Sequence, residues 1–90
     1  MIFAGMYEIL LARDAKQFYN NADLPLTKRL NRCFDLLQQN PYEHSNIKRL
    51  RGPLRGYFRF RVGNWRVVYG VNEDSQQVII YLIAHRSQAY

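Results

Sequence analysis

The chain has few of the residues that build disulfides and metal centres. Cys33 is its one cysteine, so no internal disulfide can form, and a reducing, cytoplasmic setting is favoured. Cys33 falls among the apolar residues of a predicted helix at the spacing of its buried face, which indicates a buried structural thiol. His44 and His85 are the two histidines, and neither has a second ligand at metal-site spacing, so we expect no metal and no other cofactor.

Long apolar runs are missing as well. No run approaches the roughly 18–20 residues of a transmembrane helix, and the N-terminus lacks the basic segment that opens a signal peptide. The sequence also has no repeat, linker or low-complexity segment, so we expect residues 1–90 to form one domain. Met1–Gly5 is interpreted as an N-terminal appendage, because translation could equally begin at Met6.

Acidic residues are absent from the middle of the chain. No aspartate or glutamate occurs between Glu43 and Glu73, whereas Lys48–Arg66 holds seven of the 13 basic residues. The net charge of +6 is high for 90 residues, and its clustering predicts an anionic partner: nucleic acid, an acidic protein or a membrane surface. The membrane is the weakest of the three, because no helical segment combines a basic face with an exposed apolar one.

Apolar spacing predicts an α+β fold of order β-α-α-β-β-β, an antiparallel sheet packed against two helices. Residues 42–56, which contain the Gly52-Pro53 turn signal, are predicted to form a loop. The predicted strands are Met6–Ala12, Tyr57–Val62, Trp65–Val71 and Gln77–Ala84, and the predicted helices are Asp14–Asn21 and Asp23–Gln39.

A two-residue turn at Gly63-Asn64 predicts the register of a hairpin. It sets Arg61 opposite Arg66 and leaves Arg59 on the same face. Like charges directly across a ladder destabilise it, so we expect an anion between these arginines; the alternative is that their stems cover apolar surface while their heads stay in water. A turn over residues 73–76 adds His85 to this face, although a register slip of one residue would reverse that.

Cationic and proton-transferring residues can therefore meet at one end of the sheet. Cleavage of RNA by its own 2′-hydroxyl requires cations around a pentacoordinate phosphate, an acid for the departing 5′-oxygen and a base, without a metal. The basic loop is expected to bind RNA backbone, and Tyr57 either stacks on an unpaired base or packs in the core. The candidate catalytic residues are Arg59, Arg61, Arg66, His85, Arg86 and Tyr90, and the candidate RNA- or ribosome-binding residues are Lys48, Arg49, Arg51, Arg55 and Tyr57.

Several of these segments together resemble the RelE/ParE toxin superfamily. They are Leu50-Arg51-Gly52, Gly56–Tyr69 (GYFRFRVGNWRVVY), His85-Arg86 and the final Tyr90. The resemblance implies a RelE-like fold and the toxin of a type II toxin–antitoxin pair. A RelE-type toxin is a ribosome-dependent, metal-independent endoribonuclease that cleaves mRNA in the A site and inhibits translation. The implied partners are an acidic antitoxin, the ribosome (rRNA) and mRNA, with no membrane contact.

The resemblance also implies roles for individual residues. By motif, the family's catalytic positions fall on Arg59, Arg61, Arg66, Arg86 and Tyr90. Some relatives carry lysine where this chain has Arg59 and Arg61, and an arginine effectively cannot lose its proton. We therefore expect Tyr90 or His85 to accept the proton, Arg61 and Arg66 to stabilise the transition state, and Arg86 to act on the leaving-group side.

Two other functions stay open from the sequence. ParE-type members of the same superfamily share the fold and inhibit DNA gyrase, although the full set of cationic and tyrosine positions favours the RelE type. A non-catalytic basic module could use the same face for phosphate contacts alone. Such a module predicts salt-dependent RNA binding without new RNA ends.

Overall fold

The computed structural model describes residues 6–89. The predicted appendage Met1–Gly5 and the candidate catalytic residue Tyr90 lie outside the described residues. One turn of 3-10 helix, Gly52–Leu54, precedes the hairpin. The other elements are β1 (Glu8–Leu11), α1 (Arg13–Asn21), α2 (Leu24–Gln39), β2 (Ile47–Arg49), β3 (Phe58–Val62), β4 (Trp65–Asn72) and β5 (Gln77–His85).

The strands form a five-stranded sheet in the order β1-β5-β4-β3-β2. The predicted α+β class is confirmed, with an antiparallel meander of β3, β4 and β5 at its centre. β1 joins one edge in parallel with β5, and β2 joins the other edge antiparallel to β3. The predicted loop over residues 42–56 was wrong at Ile47–Arg49, because three residues are too few to show a strand period.

Helix α2 follows directly from its sequence. The Asp23 carboxylate accepts a hydrogen bond from the backbone N–H of Leu26 (2.9 Å), and Pro25 occupies the first turn, where its missing N–H costs nothing. Apolar residues at helical spacing form the face that packs on the sheet. The buried residues of that face are Leu30, Cys33, Phe34 and Leu37.

The core lies between the two helices and one face of the sheet. Cys33 is buried in this core, which confirms the predicted buried thiol, and burial raises the pKa of that thiol. The buried Tyr69 donates a hydrogen bond from its hydroxyl to the carbonyl of Pro41 (2.7 Å), so its polar atom is satisfied. The buried sheet residues of this core include Phe58, Phe60, Val62, Val67, Tyr69, Val78, Ile80 and Ile83.

Glu73, in the turn between β4 and β5, ties three segments together. Its carboxylate accepts hydrogen bonds from the hydroxyls of Tyr42, which follows α2, and of Tyr7, which precedes β1 (2.7 Å for Tyr7). These two bonds hold the pKa of Glu73 below its usual value. The end of the sheet away from the β3–β4 turn is thereby fixed by one ionised carboxylate.

The β3–β4 hairpin has the predicted register. Arg61 lies opposite Arg66 and Arg59 lies opposite Val68, and Gly63 in the turn has a φ of +58°, a conformation that favours glycine. This confirms that Arg59, Arg61 and Arg66 share one face of the sheet. It is the face directed away from the helices, since the alternate residues Phe58, Phe60 and Val62 are buried in the core.

A β-bulge interrupts the pairing of β4 with β5. Tyr69 lies opposite Ile80 and Val68 lies opposite Leu82, which leaves Tyr81 as an extra residue in β5. Residues of β5 beyond Tyr81 therefore lie on the opposite face from the one that uninterrupted alternation predicts.

Within residues 6–89, neither helix combines the length and the apolar content that crossing a membrane requires.

Candidate functional site

Four cations line the solvent side of β2, β3 and β4, and we call them the arginine face: Lys48, Arg59, Arg61 and Arg66. They form two like-charge pairs across the ladder, Lys48 opposite Arg59 and Arg61 opposite Arg66. No carboxylate of residues 6–89 makes an ion pair with any of them; the one ion pair in that range joins Arg13 to Asp14 on α1. Two unneutralised pairs disfavour the sheet, so the arginine face is suited to holding an anion.

Backbone carbonyls orient two of the guanidinium groups. Arg59 Nη1 donates to the carbonyl of Asn46 (2.8 Å), while Arg66 Nη1 donates to the carbonyls of Gly63 (2.9 Å) and Trp65 (3.0 Å). Both side chains are half-buried, whereas Arg61 is exposed. Because a guanidinium has five N–H donors, these bonds orient each group and leave donors for phosphate oxygens.

The C-terminal segment returns to the hairpin. The backbone N–H of Arg86 donates to the carbonyl of Asn64 (2.7 Å), and the N–H groups of Gln88 and Ala89 both donate to the carbonyl of His85. Arg86 is therefore anchored beside the β3–β4 turn, next to the Gly63 carbonyl that Arg66 contacts. The convergence predicted for Arg86 is supported at the level of the backbone, and the role of Tyr90 stays a prediction.

The predicted placement of His85 on the arginine face was wrong. His85 lies opposite Trp65 on the helix face, where the two rings meet edge to face with centroids 5.4 Å apart. Trp65 in turn packs against Phe18 of α1, at 5.2 Å. The bulge at Tyr81 is the cause, because it shifts the face alternation of β5 by one residue before His85 is reached.

The basic segment before the hairpin does not form one surface. Lys48 belongs to the arginine face, but Arg49 lies on the opposite face with its guanidinium 5.1 Å from the centre of the Phe58 ring, a cation–π contact. Arg51 and Arg55 are exposed on either side of the 3-10 turn. Of these four predicted RNA-binding residues, only Lys48 is brought to the arginine face by strand pairing.

Two exposed tyrosines lie beside the arginine face on the same side of the sheet. Tyr57 and Tyr81 are 38% and 43% exposed, and their rings meet edge to face at 5.5 Å. They sit over Gly70, where an added Cβ would lie 3.3 Å from Tyr81 and 3.5 Å from Tyr57. Tyr81 was not among the residues predicted from the sequence to lie at this face. Gly70 was the available signal, because a glycine inside a strand often marks a bulge or a close approach.

No metal site emerges from the part of the chain that the structure describes. Across residues 6–89, no three His, Cys, Asp or Glu side chains are grouped so that they could hold a metal ion. The chemistry available there comes from guanidinium groups, an ammonium and phenols. Such groups bind and stabilise negative charge, and a phosphodiester is an anion that matches the planar guanidinium fork.

Comparison with known proteins adds a family to this geometry. Residues 9–90 match the family described as the ParE toxin of the type II toxin–antitoxin system, parDE. A relative from Methanocaldococcus jannaschii, "Putative toxin RelE1", is 39% identical over 72 residues, which cover 76% of this chain and 79% of the relative. The match from residue 9 onwards includes the arginine face and the C-terminal segment.

Solved structures share the fold. A chain of the archaeal RelE–RelB complex from Pyrococcus horikoshii OT3 superposes with a TM-score of 0.78 at 21% identity, over 93% of this chain and 99% of that one. A chain of the RelB–RelE antitoxin–toxin complex from Methanococcus jannaschii gives a TM-score of 0.67 at 25% identity, over 87% of this chain and 91% of that one.

Proposed function

This chain belongs to the RelE/ParE superfamily of type II toxin–antitoxin toxins, and on that premise we propose that it is a RelE-type endoribonuclease that cleaves mRNA in the ribosomal A site. The observation that carries the proposal is the arginine face, with two like-charge pairs and no carboxylate of residues 6–89 in an ion pair with them. Ribosomal mRNA would supply the missing anion. Cleavage there inhibits translation and takes place in the cytoplasm.

The reaction is an internal displacement at phosphorus. The 2′-oxygen of one ribose attacks the adjacent phosphorus while the bond from phosphorus to the departing 5′-oxygen breaks. The products are a 2′,3′-cyclic phosphate and a 5′-hydroxyl. One proton leaves the 2′-hydroxyl and one reaches the 5′-oxygen, so the step balances without a redox partner. The protein has to stabilise charge on the pentacoordinate phosphate and to move these two protons.

The cationic residues divide this work. Arg61 and Arg66 face each other across the hairpin and would stabilise the non-bridging phosphate oxygens in the transition state. Arg59, held by the Asn46 carbonyl, would position the phosphate, and Arg86 beside the turn would act on the leaving-group side. Tyr90 is the proposed proton acceptor for the 2′-hydroxyl, because arginine does not give up its proton.

Cleavage mapping tests the proposal directly. Purified protein is incubated with programmed ribosomes and with naked mRNA, and the new 3′ ends are located. We expect cuts at the A-site codon on ribosomes and none on naked mRNA. Arg66→Ala should lower the rate by about 10²–10³, the usual cost of removing one oxyanion-stabilising donor. Arg13→Ala, on the exposed ion pair of α1, is the matched control and should cleave like the parent.

The same assay can contradict the proposal. Arg66 also donates to two carbonyls at the hairpin turn, so thermal unfolding must first show that the Arg66→Ala variant is folded. If a folded Arg66→Ala variant cuts at the parental rate, the arginine face does not take part in catalysis. Absence of cleavage by the parent on ribosomes would remove the ribonuclease function itself.

An acidic antitoxin is the partner that we propose for the toxin. The similar structures from Pyrococcus horikoshii and Methanococcus jannaschii are complexes of RelE with RelB. A net charge of +6 favours an acidic segment as the covering partner. Association with the co-encoded antitoxin should then slow markedly as salt is raised, because electrostatic steering is screened.

A second function is inhibition of DNA gyrase. The observation that favours it is that the matched family description is that of the ParE toxin. A supercoiling assay with purified gyrase separates the two: inhibition of gyrase together with intact mRNA on ribosomes would support the ParE type. A non-catalytic RNA-binding module would show neither effect, only salt-dependent RNA binding.

A further inference from the structure

A second basic site lies on the other side of the β3–β4 hairpin. It is an open cavity of about 330 Å³ between α2, the segment that follows α2, and β3. Its volume is at the lower end of the ~300–1,000 Å³ typical of small-ligand pockets. We call it the α2 cavity, and its lining includes Arg29, Arg32, His44, Asn46, Phe60 and Arg61.

Positive charge dominates the rim of the α2 cavity. Arg29, Arg32 and Arg61 all line it, and none of the three is in an ion pair with a carboxylate of residues 6–89. Arg29 and Arg32 are exposed on α2, one turn apart, so their guanidinium groups can reach the same ligand. Three unpaired guanidinium groups around one cavity favour an anionic ligand with planar acceptor oxygens, such as a phosphate.

The α2 cavity is continuous with the arginine face. Arg61 belongs to both, and Gly63 connects them at the hairpin turn. A Cβ built on Gly63 would lie 2.1 Å from Arg29 Nη2, so the missing side chain is what allows that guanidinium to lie against the turn. From the other side, Arg66 Nη1 donates to the Gly63 carbonyl (2.9 Å). Cations therefore follow one another around the end of the hairpin.

An aromatic plane completes the site. The exposed imidazole of His44 lies over the buried Phe60 ring, with centroids 5.1 Å apart and an angle of 34° between the planes. Its Nδ1 accepts a hydrogen bond from the backbone N–H of Asn46 (3.0 Å), which fixes the ring. Cations around an aromatic plane are the common means of binding single-stranded nucleic acid, because the cations bind phosphates while the aromatic ring stacks on a base.

From these contacts we propose that the α2 cavity binds one nucleotide of the single-stranded RNA that runs past the arginine face. Arg29 and Arg32 hold its phosphate, and its base stacks on His44. The inference rests on the proposed ribonuclease function for the identity of the RNA, and it adds a subsite to that function. An acidic peptide would use the guanidinium groups but would leave the His44 plane unused, so RNA is the better match.

The test uses a matched pair of charge variants. Arg29→Gln/Arg32→Gln removes two charges from the α2 cavity, and Lys16→Gln/Lys28→Gln removes two exposed charges outside it, one from α1 and one from α2. The probe is a fluorescent single-stranded RNA hexamer carrying 2′-O-methyl groups, which cannot be cleaved. Its dissociation constant is measured over a range of salt concentrations, after thermal unfolding has shown that both variants are folded.

The expected result is a difference between two variants of equal net charge. Loss of the phosphate that Arg29 and Arg32 hold together should reduce the magnitude of the slope of log affinity against log salt by about 0.7, the value for one phosphate on a single strand. The control pair should shift that slope far less. His44→Ala should weaken binding by about 5-fold or more through loss of base stacking. Equal slopes for the two double variants would overturn the proposal.

Ribosomal cleavage by the same proteins separates this inference from the proposed function. If the parent cleaves mRNA and the α2 cavity variant binds the hexamer like the control, the subsite is wrong and the ribonuclease stands. If the parent does not cleave mRNA but the α2 cavity variant binds the hexamer more weakly than the control does, the α2 cavity is an RNA-binding site and the proposed ribonuclease function is wrong. If the α2 cavity variant no longer binds a polyglutamate peptide but binds the hexamer like the parent, the inference is overturned in favour of a protein partner.

Discussion

Replacing Arg61 by glutamine offers a variant in which stability and activity should change in opposite directions. Arg61 is exposed, lies directly opposite Arg66, and has no ion pair within residues 6–89. Two unit charges about 6 Å apart in water repel by about 0.7 kcal/mol, and cross-strand pairs are generally worth about 0.2–1 kcal/mol. Arg61→Gln should therefore raise the free energy of unfolding by about 0.5 kcal/mol and Tm by about 2–4 °C.

Urea unfolding at low salt and at 1 M salt measures this gain. The gain should vanish at 1 M, where the Debye length is about 3 Å. Lys28→Gln removes the same charge from an exposed position on α2 and controls for the lower net charge. In the ribosomal assay, Arg61→Gln should lose about 10²-fold or more in cleavage rate. A destabilised variant, or a gain no larger than that of Lys28→Gln, would refute the like-charge argument.

Two further predictions concern the scaffold. Hydrogen bonds from Tyr42 and Tyr7 lower the pKa of Glu73 from its ordinary 4.5, so their stabilisation is present above that pH and is lost as pH falls through the folded-state pKa. Glu73→Gln should therefore flatten the fall in Tm below about pH 4.5, and an unchanged pH profile would contradict this. Asp23→Ala removes the cap of α2 and should cost about 1 kcal/mol by urea unfolding, with Asp35→Ala in the middle of the helix as the neutral control.

The hairpin and the second helix could be predicted because local rules determine them. A two-residue turn at Gly63-Asn64 leaves one register for β3 and β4, and alternation of arginine with aromatic residues identifies the buried face. Helix α2 has both an N-terminal cap at Asp23 and an apolar stripe at helical spacing. Each of these features is encoded within the segment in which it appears, so no long-range contact had to be known.

The edges of the sheet and the bulge could not be predicted, because long-range packing decides them. β2 has three residues, and β1 finds its place only by parallel pairing with β5, which lies almost 70 residues later. The sequence of β5, Gln77–His85, is apolar at nearly every position before His85. Such a strand has no alternation that would reveal an extra residue, so the bulge at Tyr81 and the face of His85 stayed hidden.

That bulge leaves the arginine face without the imidazole that the sequence had predicted there. With His85 packed against Trp65 on the helix face, the cations that strand pairing brings together are three arginines and a lysine. Guanidinium groups stabilise a phosphorane but cannot accept the proton of a 2′-hydroxyl at neutral pH. The proton acceptor must then be a group other than these arginines: one in the C-terminal segment that Arg86 anchors at the hairpin, as proposed above for Tyr90, the lysine or a phenol at the arginine face, or a group of ribosomal RNA. Because RNA geometry also has to bring the 2′-oxygen in line, we expect the isolated toxin to bind RNA and to cut it only on the ribosome.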